Sequence, residues 1–280
     1  MNSIFLNGDQ TELNMGDANA EGNDRLTVSV AAHIGRIVIN RPEKRNALDR
    51  AMWRALAAAV AALNGNGDVR VAVISGAGDD FSAGADIDEF DTVRGNAETA
   101  RDYEALNSAA FAAIRHSAIP TIAAIRGMCL GGGFGIAAAC DLRVATDDAQ
   151  FAVPAARLGL AYPHDAMEDI VHSCGPQFAR FLTFSGARIS AAEARRLGFL
   201  MRVVPGQEFD TEIDALAKQI AAAAPLSVRA SKLAIRSVIS SRAEDADAAR
   251  NLGAATFDSS DYEEGRRAFR ERRTPVFHGR

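Results

Sequence analysis

Cysteine, tyrosine, histidine and tryptophan are all scarce in this chain, with three, three, five and one copies among 280 residues. The cysteines, Cys129, Cys140 and Cys174, stand in apolar or helical contexts with no Cys-x-x-Cys spacing, so buried reduced thiols and no disulfides are expected. The histidines show no His-Glu-x-x-His arrangement, which predicts no metal centre. No run of five or six basic residues occurs, and a formal net charge of -5 argues against a nucleic-acid partner. No apolar run reaches the roughly 18 to 20 residues that span a bilayer, and the N-terminus lacks a basic segment followed by an apolar one. A cytoplasmic globular protein without membrane contact is expected. There is no Gly-x-Ser-x-Gly, so serine-hydrolase chemistry is not expected either.

What the chain does have is 48% apolar residues, enough for one large core or a core with an appended element. Residues 1–24 carry five acidic side chains and no Lys or Arg among many Asn and Gly, which predicts a disordered leader. Leu26 to Val30 and Arg36 to Asn40 read as a hairpin with a turn around His33 to Gly35, Leu48 to Leu63 as a helix, and Val69 to Ser75 as a strand buried on both faces. A helix from Asn96 to His116, strands Thr121 to Arg126 and Leu142 to Thr146, and a helix from Phe134 to Cys140 continue the alternation. After Pro163 the pattern is helical except for a strand at Phe199 to Val204, and Ser190 with Glu193 has the spacing of a capping box. The expected division is a leader (1–24), an α/β core of repeating β-β-α units (25–205) and a C-terminal helical region (206–280).

Two loops punctuated by glycine each follow a strand: Gly76 to Ile87, and Gly127 to Gly135 with the triplet Gly131-Gly132-Gly133. Bare backbone permits close approach of other atoms. The first amides of the helix after the triplet lack internal partners, and with the helix dipole behind them they suit a negatively charged or strongly polarised oxygen. Gly131, Gly133 and Gly135 do not form Gly-x-Gly-x-x-Gly, so a dinucleotide site is not indicated.

These residues resemble the crotonase superfamily, the enoyl-CoA hydratase/isomerase family. The resemblance runs through Asn40 to Leu48, Phe81 to Ile87, Pro120 to Gly127, the glycine triplet, Cys140 to Arg143, Gly186 to Arg188, Ala192 to Gly198 and the tail Ala268 to Pro275. It implies a crotonase-like spiral of β-β-α units with a C-terminal helical trimerisation region, assembled as a homotrimer or a dimer of trimers. It also implies an acyl-CoA thioester as substrate, with coenzyme A as part of that substrate and no further cofactor. The thioester oxygen is expected between the amides of Ala85 and Gly132. Ala47, Ala83, Asp86 and Ile87 fall in the implied coenzyme A site, and Lys44 and Arg45, together with Arg272 or Arg273 in the tail, would meet its phosphates. By the same resemblance the two hydratase glutamates fall at Gly135 and Ala155, so both carboxylates are absent. Tyr162 stands where decarboxylases of malonyl-type thioesters carry a catalytic tyrosine. Asp165 lies near the aspartate position of dienoyl-isomerase-like members, although Asp165 and Glu168 also have capping-box spacing. A catalytically degenerate acyl-CoA binding protein is the non-enzymatic alternative.

Overall fold

A computed structural model describes residues 11–12, 24–240 and 243–280. Most of the expected leader lies outside the described residues. The exception is β1 (Thr11–Glu12), which pairs antiparallel with Val30 and Ser29, so this dipeptide is strand where disorder was expected. The hairpin follows as β2 (Leu26–Ala31) and β3 (Ile34–Ile39). Its turn is tighter than expected, because Ala32 and His33 both take positive φ, 49° and 66°, the handedness that matches strand twist in a two-residue turn.

Helix α1 (Arg50–Gly65) starts two residues later than its apolar pattern suggests, because the Asp49 carboxylate accepts from the Met52 amide at 2.9 Å and fixes the cap. Then come β4 (Val71–Gly76), α2 (Phe90–Val93), α3 (Ala97–Arg115), β5 (Thr121–Ile125), β6 (Met128–Leu130), α4 (Gly132–Ala139), β7 (Leu142–Thr146) and β8 (Gln150–Ala152). The remainder is α5 (His164–Cys174), α6 (Pro176–Ser185), β9 (Ile189–Ser190), α7 (Ala191–Arg196), β10 (Arg202–Val204), α8 (Phe209–Ala221), α9 (Pro225–Ser240), α10 (Ala243–Ala255) and α11 (Ser260–Glu271).

The main sheet has the order β1-β2-β3-β4-β5-β7-β10, parallel from β3 onward. Along β4, Ala72 and Ile74 enter one core with Trp53, Leu56 and Phe111, while Val71 and Val73 enter a second under Phe209, Ile213 and Ala217 of α8. Both faces are covered, which explains a continuous apolar run instead of an alternating one.

A second sheet, β6-β8-β9, was not foreseen. Its strands are two or three residues long, too short for a periodicity to register, and β6 is tied to the first glycine loop through Ser82, whose amide donates to the Met128 carbonyl at 2.9 Å. β10 is also shorter than the expected strand, since Phe199 bonds back to Ala194. The Ser190 cap is half of a box: its hydroxyl accepts from the Glu193 amide at 3.2 Å, while Glu193 pairs with Arg196. At the C-terminus, Asp261 accepts from the amides of His278 and Gly279 and Glu264 from Arg273 and Val276, so the tail is drawn back along α11.

Candidate active site

The first glycine loop is knitted from beneath by Asn46, a buried residue in left-handed conformation (φ 55°). Its side-chain amide donates to the carbonyls of Ala77 and Asp80 at 2.8 and 2.6 Å, and its oxygen accepts from the Arg41 amide. The Ser82 hydroxyl donates to the Asn46 carbonyl and accepts from the Gly84 amide at 3.0 Å. Leu48 then bridges the far side: its amide donates to Gly84 and its carbonyl accepts from Asp86. This pattern skips Ala85, whose amide meets no acceptor among the described residues.

The second loop presses against the first. Gly84 has φ 95°, and a Cβ placed on it would lie 2.7 Å from both the Gly132 nitrogen and the Leu130 carbonyl oxygen. A Cβ on Gly133 would lie 2.4 Å from the Ser82 carbonyl. Only glycine fits this approach. Gly132 is the first residue of α4, so its amide has no intrahelical acceptor. Ala85 and Gly132 are therefore brought together on adjoining backbone segments, each with an amide that the fold leaves unspent.

Trp53 and Phe111 close this region, with Asn107 buried beside Phe111 on α3, and sequence reading singled out none of them. A Cβ on Gly132 would lie 2.8 Å from the Trp53 ring, and one on Gly135 would lie 2.6 Å from the Phe111 ring, which meets Trp53 edge-on at 5.6 Å between centroids. The volume a side chain would need at 135 is thus filled by Phe111. Ala155 is half-buried in a short 3-10 turn, Pro154 to Leu158, after β8. On α3 the residues Tyr103, Asn107 and Phe111 succeed one another at i+4 and all are buried. The lone amide in that apolar stripe was the available signal for Asn107.

Tyr162 packs against the same core and its hydroxyl is buried without a partner. Burial raises its pKa, the neighbouring Cys129 adds to the rise, and the Arg94 charge pulls against it. Asp165 is not the cap it resembled. The helix begins at His164 with Pro163 preceding it, and the Asp165 carboxylate turns to α3, accepting from the Ser108 hydroxyl at 3.2 Å and lying 3.8 Å from Arg115. Arg115 makes its shorter bonds to Asp169, at 2.5 and 2.7 Å. In this setting Asp165 fastens α5 to α3 and bonds to neither glycine loop.

The candidate coenzyme A residues are scattered in exposure. Asp86 is turned inward, with Arg41 at 2.7 Å and the Asp88 amide on its other oxygen. Lys44 pairs with Asp88, Ala47 is buried with its carbonyl toward Arg41, and the Ala83 amide is spent on the Arg45 carbonyl. Arg45 and Ile87 keep open surface, and in the tail Arg273 is committed to Glu264 and Glu271. A concavity of about 750 Å³ lies elsewhere: it is lined by Ala138 to Arg143 at the opposite end of α4 and by residues of α8 and α9. No group of metal-ligating side chains and no helix long and apolar enough to cross a membrane occurs among the described residues.

Comparison with known proteins agrees with this architecture. The family model described as Enoyl-CoA hydratase/isomerase matches residues 29–280. The chain is 34% identical to the crotonyl-CoA hydratase of Syntrophomonas wolfei over 246 residues, covering 86% of this chain and 93% of that protein. It is 34% identical to the mitochondrial Delta(3,5)-Delta(2,4)-dienoyl-CoA isomerase of Rattus norvegicus over 216 residues, 73% of this chain and 66% of the relative. The crystal structure of an enoyl-CoA hydratase/carnithine racemase from Magnetospirillum magneticum superposes with TM-score 0.86 at 34% identity, covering 92% of this chain and 96% of the other. A fold of mixed α/β layers around two loops in backbone contact, matched along nine-tenths of its length, makes this chain a member of the enoyl-CoA hydratase/isomerase family, the crotonase superfamily.

Proposed function

We propose that the chain binds an acyl-CoA thioester with its carbonyl oxygen between the amides of Ala85 and Gly132, and stabilises the enolate formed when a proton or carbon dioxide leaves the α-carbon and the electron pair of the broken bond is delocalised onto that oxygen. The supporting observation is the contact of Gly84 with the Gly132 nitrogen, which draws two unspent amides onto adjoining segments. Such donors act where charge develops, and one of them is typically worth about 2.7 to 4 kcal/mol of transition-state energy. With glycine at 135 and alanine at 155, no carboxylate from those positions handles water or the α-proton. Ordinary hydration, which draws on both, is therefore not the favoured reaction.

Incubating the purified protein with acyl-CoA thioesters in deuterated water tests the reading. Exchange of α-hydrogen is expected, and Ala85→Pro, which deletes one donor, is expected to slow it about 10²- to 10³-fold. Tight thioester binding without exchange across a broad panel would instead identify a binding protein that has lost its chemistry.

The buried, unpartnered Tyr162 hydroxyl favours a second reading, decarboxylation of a malonyl-type thioester. Loss of carbon dioxide generates the same enolate without a base, and a phenol kept protonated by burial can return the proton to the α-carbon. On this reading Tyr162→Phe abolishes turnover of malonyl-type thioesters; an unchanged rate removes Tyr162 from the mechanism.

A further inference from the structure

Three buried polar atoms near the two loops have no partner: Nε of Arg94, Oδ1 of Asn107 and the hydroxyl oxygen of Tyr162. Buried polar groups are ordinarily satisfied, and a cluster that is not needs an explanation. The three belong to one neighbourhood. The Arg94 guanidinium lies over the rings of Phe90 and Tyr103, at 4.5 and 5.1 Å from their centroids. Asn107, 9% exposed, is one turn along α3 from Tyr103. The next residue, Ser108, bonds to Asp165, three positions beyond Tyr162, and the Arg94 charge is felt at the Tyr162 hydroxyl. Tyr103 in turn takes the Trp53 indole N–H at 3.0 Å, and Trp53 borders Gly132. The cluster thus stands beside the proposed thioester site, on its α3 side.

Arg94 is the notable member. The chain has an excess of carboxylates, yet no carboxylate among the described residues pairs with it. Glu89, which acts on Tyr103, is spent on the Arg50 amide, and Asp49, acting on the same ring, is spent on Arg25 and the Met52 amide. A guanidinium packed over two aromatic rings is partly pre-organised, and its fork matches a carboxylate. The hydroxyl of Tyr162 supplies a further donor that such an anion needs when it leaves water.

We infer that Arg94, with Tyr162, receives a carboxylate carried by the acyl chain, so that the preferred ligand is a coenzyme A monothioester of a dicarboxylic acid. The inference rests on the thioester reading above and adds the identity of the acyl group. It concerns binding of the far end of the chain, and it places the Tyr162 hydroxyl there in place of the proton return to the α-carbon in the decarboxylation reading.

The test compares two saturated thioesters of equal chain length, glutaryl-CoA and pentanoyl-CoA, by titration calorimetry with the full-length protein. Charge-assisted hydrogen bonds to the added carboxylate are expected to give the wild type a preference of about 10- to 100-fold for glutaryl-CoA. In Arg94→Met the ratio of the two affinities is expected to collapse to unity, and a preference that survives overturns the role of Arg94. A wild type that binds pentanoyl-CoA but does not prefer glutaryl-CoA overturns this inference and leaves the thioester reading standing; one that binds neither overturns both. If Arg94→Met fails to fold, Arg94→Lys carries the test. Its single ammonium is expected to retain a weakened preference, and an undiminished one overturns the assignment.

Discussion

Gly84→Ala is expected to destabilise the protein by about 2 to 5 kcal/mol and to slow α-hydrogen exchange by at least about 100-fold. Two independent penalties combine at this position. The backbone there has φ 95°, which L side chains rarely adopt, and the new methyl would meet the Gly132 nitrogen and the Leu130 carbonyl oxygen, each at 2.7 Å. Neither obstacle is the end of a flexible side chain, so relief requires the two loops to separate. Separation moves the Ala85 and Gly132 amides apart, which couples the stability loss to a loss of rate. Thermal unfolding and the exchange assay measure the two effects together. Gly67→Ala is the control, because Gly67 has open space around it and no positive φ. A Gly84→Ala protein that melts and turns over like the Gly67→Ala protein would show that the loops are not in the described contact.

The second large effect concerns what holds the first loop in place. Arg41 and Asp86 form an ion pair at 2.7 Å with side chains 12% and 7% exposed. Breaking a buried pair by removing one member costs about 3 to 5 kcal/mol, because the other charge is left stranded, and this is the expected loss for Arg41→Met. The pH dependence has a definite sign. Burial pushes the Asp86 carboxyl upward, but the Arg41 hydrogen bond, the Asp88 amide and the charges of Arg41 and Lys44 together hold it below its usual value. A depressed carboxyl contributes stability that is present above the unfolded-state value, about 3.9, and is lost as pH falls through the folded-state value. The wild type therefore loses this contribution only in strong acid. In Arg41→Met burial dominates, the carboxyl rises, and acidification from neutrality toward pH 5 is expected to stabilise the variant. Denaturant titrations at several pH values distinguish the two behaviours; parallel profiles for both proteins would mean that Asp86 is anchored by something other than Arg41.

The long elements and both glycine loops were legible in the sequence because each is marked by features that survive without context. Val71 to Ile74 is a buried apolar run, Gly131 to Gly133 is bare backbone, and the motifs from Phe81 to Ile87 and from Cys140 to Arg143 carried the resemblance. Other features depend on partners far away in the chain. Met128 to Leu130 is strand only because Gln150 to Ala152 lies beside it. Asp86 has the look of a solvated acid at a helix start until Arg41, 45 positions earlier, is seen to occupy it. Asp165 and Glu168 have the spacing of a cap, but Pro163 takes the entry to the helix and Arg115 and Ser108 draw the Asp165 carboxylate toward α3. Arg94, in a polar stretch between the short α2 and the long α3, gave no local sign that its guanidinium would lie over Phe90 and Tyr103.

The Phe111 ring against Gly135 also bears on how this lineage can change. A glutamate introduced at 135 would find its first carbon 2.6 Å from a ring that is itself wedged against Trp53. Shrinking residue 111 first would open a void in the core, at a cost of about 3 to 5 kcal/mol for a full truncation. Each single step on the way to a carboxylate at 135 thus passes through a damaged protein, and natural selection acting one substitution at a time would find glycine at 135 far easier to keep than to replace.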